Sequence, residues 1–170
     1  MPIRFLTAGE SHGPAVTAIL EGIPAGLALD VDKVNHELAR RQKGFGSGGR
    51  MKLERDTVQV LSGIMDGKTM GMPISLFVEN LNHKQWKGKE TAAMTAPRPG
   101  HADLTGVVKY GYNDLRPSLE RASARETTMR VSVGAICKQF LAEFGIVVGG
   151  YVRSIGGVDA NFGIDRKSVV

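Results

Sequence analysis

The apolar positions of this chain change period several times, and the changes divide it into elements. Residues 2–8 and 15–21 (AVTAILE) are short, apolar and partly β-branched, which predicts two strands joined through the loop GESHGP. GIPAG then makes a turn. From Asp30 the stretch DVDKVNHELARRQ sets Val31, Val34 and Leu38 at helical spacing. Its aspartates at the start and arginines at the end suit the helix dipole. KGFGSGGRMK reads as a loop, followed by strands around TVQVLSG and MPISLFVEN. Residues 80–97 lose all apolar period and predict a long polar surface loop ending at a Pro-Gly corner. NDLRPSLER is read as a second loop.

The strongest helix pattern is SARETTMRVSVGAICKQFLAEFG, residues 123–145. Ser123 and Glu126 have capping-box spacing, Met129, Val133, Ile136 and Phe140 form an apolar stripe, and Gly145 closes the C-terminus. A strand around IVVGGYVRSI follows. No repeat of fixed short period, low-complexity tract or interdomain linker interrupts the pattern, so residues 1–170 read as one unit of α/β (α+β) class. The ending, GIDRKSVV, brings no helix or strand to close a sheet and reads as cut short.

Composition narrows the function classes. With 170 residues the chain is long enough to bury about 70% of its unfolded surface. The 42% hydrophobic and 23% charged residues exclude a disordered or fibrous class. A formal charge of +5 favours an anionic partner and leaves open nucleic acid, a membrane surface or a phosphorylated metabolite. The single cysteine, Cys137, sits in an apolar run and reads as a buried structural thiol; no disulfide can form within one chain, which fits a reducing compartment. The N-terminus lacks the apolar segment of a signal peptide, and no run approaches the ~18 apolar residues of a membrane span. The expected location is cytoplasmic.

Candidate chemistry lies in the glycine-bounded loops. GFGSGG, residues 44–49, fits G-x-G-x-x-G in letters, but a basic helix precedes it where a dinucleotide fingerprint needs a strand. Flanked by Arg40, Arg41, Arg50 and Lys52, it can instead close over a polyanion, or be a plain solvated loop. The four histidines show no metal-ligand spacing, so no metal site is indicated. His12 in GESHGP and His101 in RPGHAD are candidates for proton transfer, with Glu10 and Asp103 near enough in sequence to orient a ring. His36 and His83 are expected to be solvent residues. Arg98, Arg116, Arg121, Arg125 and Arg130 crowd toward the start of the long helix. Cations there oppose the dipole unless an anion sits among them, so they mark either an anion site or pairs with Glu120 and Glu126. Aromatic residues are only 6% of the chain and do not interleave with the cations, which leaves a nucleic-acid surface as the weaker alternative.

Four segments together carry a resemblance. GESHGP (9–14), RRQKGFGSGGRM (40–51), RPGHAD (98–103) and ERASARETTMRVSVGAICK (120–138) are similar, in order and spacing, to chorismate synthase. The resemblance implies a β-α-β sandwich built from two similar halves, of which this chain covers the first. It also implies a shikimate-pathway lyase that makes chorismate by anti-1,4-elimination of phosphate from 5-enolpyruvylshikimate 3-phosphate. The implied cofactor is reduced FMN, without net redox change, and whether NADPH reduces the flavin stays open. By the same resemblance His12 and His101 are catalytic, Arg41, Arg50, Arg98 and Arg125 bind substrate, and Arg121, Ala122 and Ser123 contact FMN. A homotetramer is implied, with no nucleic-acid or membrane partner. Departures exist: Ser47 stands where the family has an arginine, Ala122 where serine is common, and the loop at 82–97 is shorter. An FMN- or metabolite-binding half without catalysis is the rival expectation.

Overall fold

A computed structural model describes residues 2–43, 55–89, 91–122 and 125–160. Its centre is a four-stranded antiparallel sheet in the order β1-β2-β6-β3, made of β1 (Arg4–Gly9), β2 (Ala15–Glu21), β3 (Gln59–Ser62) and β6 (Ile74–Glu79). Alternation along β2 and β6 aims Val16, Ala18 and Leu20 to one face, directly opposite Val78, Leu76 and Ile74. All six are fully buried. This face is covered by α5 (Glu126–Ala142), which crosses β1, β2 and β6, and α1 (Val31–Gln42) packs along α5. Met129, Val133 and Ile136 of α5 and Val34 and Leu38 of α1 complete the core. The expected stripe of α5 is therefore the buried one, with Phe140 packed at its margin.

Local chemistry fixes the helix ends. Asp30 caps α1 by accepting from the backbone N–H groups of Asp32 (2.9 Å) and Lys33 (3.3 Å). Gln139 of α5 clamps the same corner, accepting from the Asp30 N–H at 2.8 Å and donating to its carbonyl at 3.0 Å. At the far end of the sheet Gly9 adopts φ +106°, and a Cβ there would stand 2.9 Å from Val16 Cα. Only glycine lets the chain leave β1 at that angle and enter the loop that carries His12.

Several expectations are corrected. NDLRPSLER is not a loop: it contains most of α4 (Arg116–Ala122), started by Asp114, whose carboxylate accepts from the Arg116 N–H at 2.9 Å, with Pro117 in the first turn. A helix not among the expected elements, α3 (Asp103–Tyr110), begins at the last residue of RPGHAD. The loop at 80–97 contains a helical turn, α2 (His83–Trp86), and a short hairpin, β4 (Ile64–Met65) and β5 (Lys68–Thr69), lies between β3 and β6. The long helix starts at Glu126, and the expected Ser123 cap falls outside the described residues. Around IVVGGYVRSI only Ser154–Ile155 forms a strand, β7, paired with β8 (Val158–Asp159) in a separate hairpin. Residues 146–153 are exposed and belong to no strand.

Helices α3 and α4 pack at Gly106, where an added Cβ would lie 2.6 Å from Ser118 Cβ and overlap its Oγ. Ser118 is buried, so it has no room to retreat. Gly106→Ala is expected to cost about 1–3 kcal/mol through overpacking, read as a lower midpoint in urea unfolding; an unchanged midpoint would mean that the two helices are free to separate.

Candidate functional site

The GESHGP loop leaves β1 through Gly9 and is fixed from two sides. On one side is Asn80, just past β6 and buried. Its side-chain amide donates to the carbonyls of Glu10 (3.1 Å) and Gly13 (2.8 Å), and its backbone N–H donates to Pro14 O (2.9 Å). On the other side is Glu120 in α4. Its backbone carbonyl accepts from the Ser11 N–H at 2.9 Å, its Oε2 from the His12 N–H at 2.9 Å, and its Oε1 lies 2.7 Å from His12 Nδ1. Trp86 covers one face of the half-buried His12 ring, with centroids 4.1 Å apart. His83 directs Nδ1 at the His12 carbonyl, 2.9 Å away.

Two expectations change here. The partner of His12 is Glu120, not Glu10, and Glu120 serves a histidine where an arginine partner was a possible reading. His83 is half-buried and bonded to the site loop, not a solvent residue. No local pattern marked either contact, because each joins segments 71 to 108 residues apart.

Asn80 also ties this loop to the arginines. Its Oδ1 accepts from Arg125 Nε at 2.6 Å, and the buried Arg125 guanidinium continues to Asp56 and, at 3.3 Å, to Glu79 O. Arg41 reaches the other oxygen of Asp56 at 3.3 Å and Thr127 Oγ1 at 3.1 Å. Burial lowers the Arg41 pKa, the Asp56 carboxylate opposes that, and repulsion from Arg125 adds to it. Two guanidiniums this close are eased by any further anion between them. Arg50, Ser47, Ser123 and the GFGSGG loop lie outside the described residues.

The second loop, RPGHAD, is closed by its own aspartate. Asp103 is fully buried and takes a bidentate grip on Arg98, Oδ2 to Nε at 2.8 Å and Oδ1 to Nη2 at 3.0 Å, with the Arg98 backbone N–H at 3.1 Å. Asp103 therefore orients Arg98 and not the His101 ring, contrary to expectation. His101 stands exposed at the corner with Nδ1 3.0 Å from Pro99 O. Arg121 closes α4, where a cation suits the dipole, and donates to Thr7 O at 2.7 Å; it does not share one helix start with Arg125. Arg130 pairs with Glu126 at 2.7 Å.

Between α3 and α4 lies a cleft of about 520 Å³. Ala102, Lys109, Tyr110, Tyr112, Arg121 and Ala122 line it. Tyr110 and Tyr112 stack at 5.5 Å with Lys109 over Tyr110. Aromatic faces beside two cations suit a planar group that carries negative charge. Cys137 is half-buried against the core, and burial raises its thiol pKa, which suits an inert structural role. Among the described residues no group of three metal-binding side chains occurs, and no helix is long and apolar enough to cross a membrane.

Comparison with known proteins gives the family of this chain. The family model described as chorismate synthase matches residues 3–170. The chain belongs to the chorismate synthase family. It is 58% identical over 163 residues to the chorismate synthase of Aquifex aeolicus, covering 91% of this chain and 41% of that relative. With the Enterococcus faecalis chorismate synthase it is 54% identical over 169 residues, covering 93% and 44%. A solved structure titled as a crystal structure of chorismate synthase superposes with a TM-score of 0.73 at 50% identity, covering 94% of this chain and 40% of that one. The α+β fold is thus that of chorismate synthase, and the chain spans less than half the length of these relatives.

The Arg98–Asp103 pair of the RPGHAD loop is acid-sensitive by its geometry. Hydrogen bonding from Arg98 lowers the Asp103 pKa from 3.8 to about 2. A group depressed on folding favours the folded state above its unfolded value and loses that effect as pH falls through the folded one. Asp103→Asn is therefore expected to be less stable than the parent near neutral pH, with the gap in urea midpoint closing between pH 3.8 and about 2. A gap that stays constant over that range would contradict the ion pair.

Proposed function

We propose that this chain is the N-terminal half of an enzyme that converts 5-enolpyruvylshikimate 3-phosphate to chorismate by anti-1,4-elimination of phosphate, using reduced FMN with no net redox change. The observation that carries the reading is that both histidine loops lead to α4. Glu120 of α4 holds His12, while Ala102, next to His101, faces Arg121 and Ala122 across one cleft. Family membership supports the same reaction class.

The roles follow from chemistry. Loss of phosphate from an allylic carbon leaves negative charge on the departing oxygens, so a proton donor and guanidiniums at that end lower the barrier. His101, exposed beside Arg98, is suited to give the proton. Arg41, Arg98 and Arg125, with Arg50, bind the substrate's phosphate and carboxylates, and the excess positive charge of the chain matches these anions. Arg121 and Ala122, which line the cleft between α3 and α4, would hold FMN together with Ser123. When bound, reduced FMN lends electron density transiently while the phosphate leaves. His12, screened on one face by Trp86, exchanges a proton beside the cofactor. The working enzyme is a cytoplasmic homo-oligomer, a tetramer as in the family, and NADPH is a candidate reductant for its flavin.

The test is chorismate formation from 5-enolpyruvylshikimate 3-phosphate under anaerobic conditions by the protein that contains this chain. Product is expected only with reduced FMN, and its absence would overturn the reading. His12→Ala and His101→Ala are each expected to lower turnover by about 10²–10⁴-fold with little change in melting temperature. Wholesale unfolding of either variant would instead assign the ring a structural role. Arg121→Ala is expected to weaken FMN binding by about tenfold or more, the loss of one charge-assisted contact, measured by flavin fluorescence titration.

A further inference from the structure

We infer that Glu120 is a positioning residue that fixes His12 in the Nδ1–H tautomer and so makes Nε2 the atom through which the ring exchanges a proton. The inference deepens the proposed role of His12 and rests on it only for the consequence in turnover.

An ionised carboxylate accepts hydrogen bonds and donates none. Glu120 places its two oxygens side by side against His12: Oε2 takes the backbone N–H at 2.9 Å, and Oε1 faces Nδ1 at 2.7 Å. The first contact can only be a donor from the chain, so the carboxylate reads a matched pair of donors. Nδ1 must then carry hydrogen in the neutral ring as well as in the charged one. Trp86 occupies one face of the ring at 4.1 Å, and His83 occupies the carbonyl of the same residue at 2.9 Å. With Nδ1 committed to Glu120, Nε2 is the ring nitrogen that remains for proton exchange. A neutral His12 accepts a proton there, and the imidazolium returns it from the same atom.

The same logic applies to the neighbouring rings. His83 Nδ1 faces the His12 carbonyl at 2.9 Å, and His101 Nδ1 faces the Pro99 carbonyl at 3.0 Å. Carbonyl oxygens also only accept. Three histidines on three segments are thus all held as Nδ1–H.

The Glu120 side chain can be changed without releasing the loop, because its backbone carbonyl still holds Ser11 and Asn80 still holds Glu10 and Gly13. Glutamine has one oxygen instead of two. With that oxygen on the His12 backbone N–H, its NH₂ faces Nδ1 and demands the opposite tautomer.

The experiment is a long-range ¹H–¹⁵N correlation spectrum of the chain with ¹⁵N-labelled histidine, at a pH where the rings are neutral. His12 is assigned by its loss in His12→Ala, and the exposed His36 serves as a reference within the molecule. The parent is expected to show His12 protonated at Nδ1 and bare at Nε2, and Glu120→Gln to move His12 toward Nε2–H. In the protein that contains this chain, Glu120→Gln is expected to lower kcat at least about tenfold with KM for the substrate little changed. A parent His12 protonated at Nε2, or a glutamine variant with an unaltered tautomer, would overturn the inference. The expected tautomer shift in a protein that makes no chorismate in any form would support the positioning role and refute the catalytic reading of His12.

Discussion

The site depends on one buried polar connection, the link from Asp56 through Arg125 to Asn80. Buried charge is tolerated only when paired and hydrogen-bonded, and the link meets that condition with Asp56 on one end of the guanidinium and the Asn80 amide oxygen on its Nε. Asn80 has then spent its acceptor on Arg125 and can turn only donors toward the GESHGP loop, where two carbonyls wait. The position of His12 is thus set by the arginine network as well as by its own partner Glu120. Taking one member out of such a network leaves the others buried and unpaired, a loss of about 3–5 kcal/mol in comparable sites.

Rigid elements underlie this network. Asn80 follows β6, whose Ile74, Leu76 and Val78 lie in the core, and Arg125 directly precedes α5, whose stripe covers that same core. The two groups that must meet are each one residue from an element that cannot shift without opening the sheet-helix interface. The short GESHGP loop is held from two sides by Asn80 and Glu120, and the RPGHAD corner is closed by the Arg98–Asp103 pair. This is the division of labour expected of a site built on a scaffold: packing fixes the ends, and polar contacts aim the groups between them.

The sequence was legible where one period ran long enough. β2, α1 and α5 bury a regular face, and their patterns name residues that the core contains, whereas β1 was legible as a strand although Phe5 and Leu6 stay exposed. Helices α3 and α4 escaped because they are short and bury little apolar surface; Leu104 and Val108 of α3 are exposed. The Asp114–Arg116–Pro117 start of α4 was a usable signal that the loop-like composition concealed. His12 and His101 stood out through their glycine-bounded loops, and the family motifs placed them. Glu120, His83 and Asn80 did not stand out, because their roles exist only once distant segments meet, and a side chain that donates to a carbonyl 67 residues away leaves no periodic trace. Asp103 was noticed for the wrong partner, since adjacency in sequence favoured His101 while the bidentate geometry belongs to Arg98.

In the proposed enzyme the His12 loop and the α3–α4 cleft form a single flavin-binding site. The chain contains one tryptophan, Trp86, and it packs on His12. The most direct measurement is its emission as FMN is added to the chain. Saturable quenching of Trp86 is expected, tracking FMN binding and weakened in parallel by Arg121→Ala. FMN that binds with the Trp86 emission unchanged would place the cofactor away from His12 and rule out a single site.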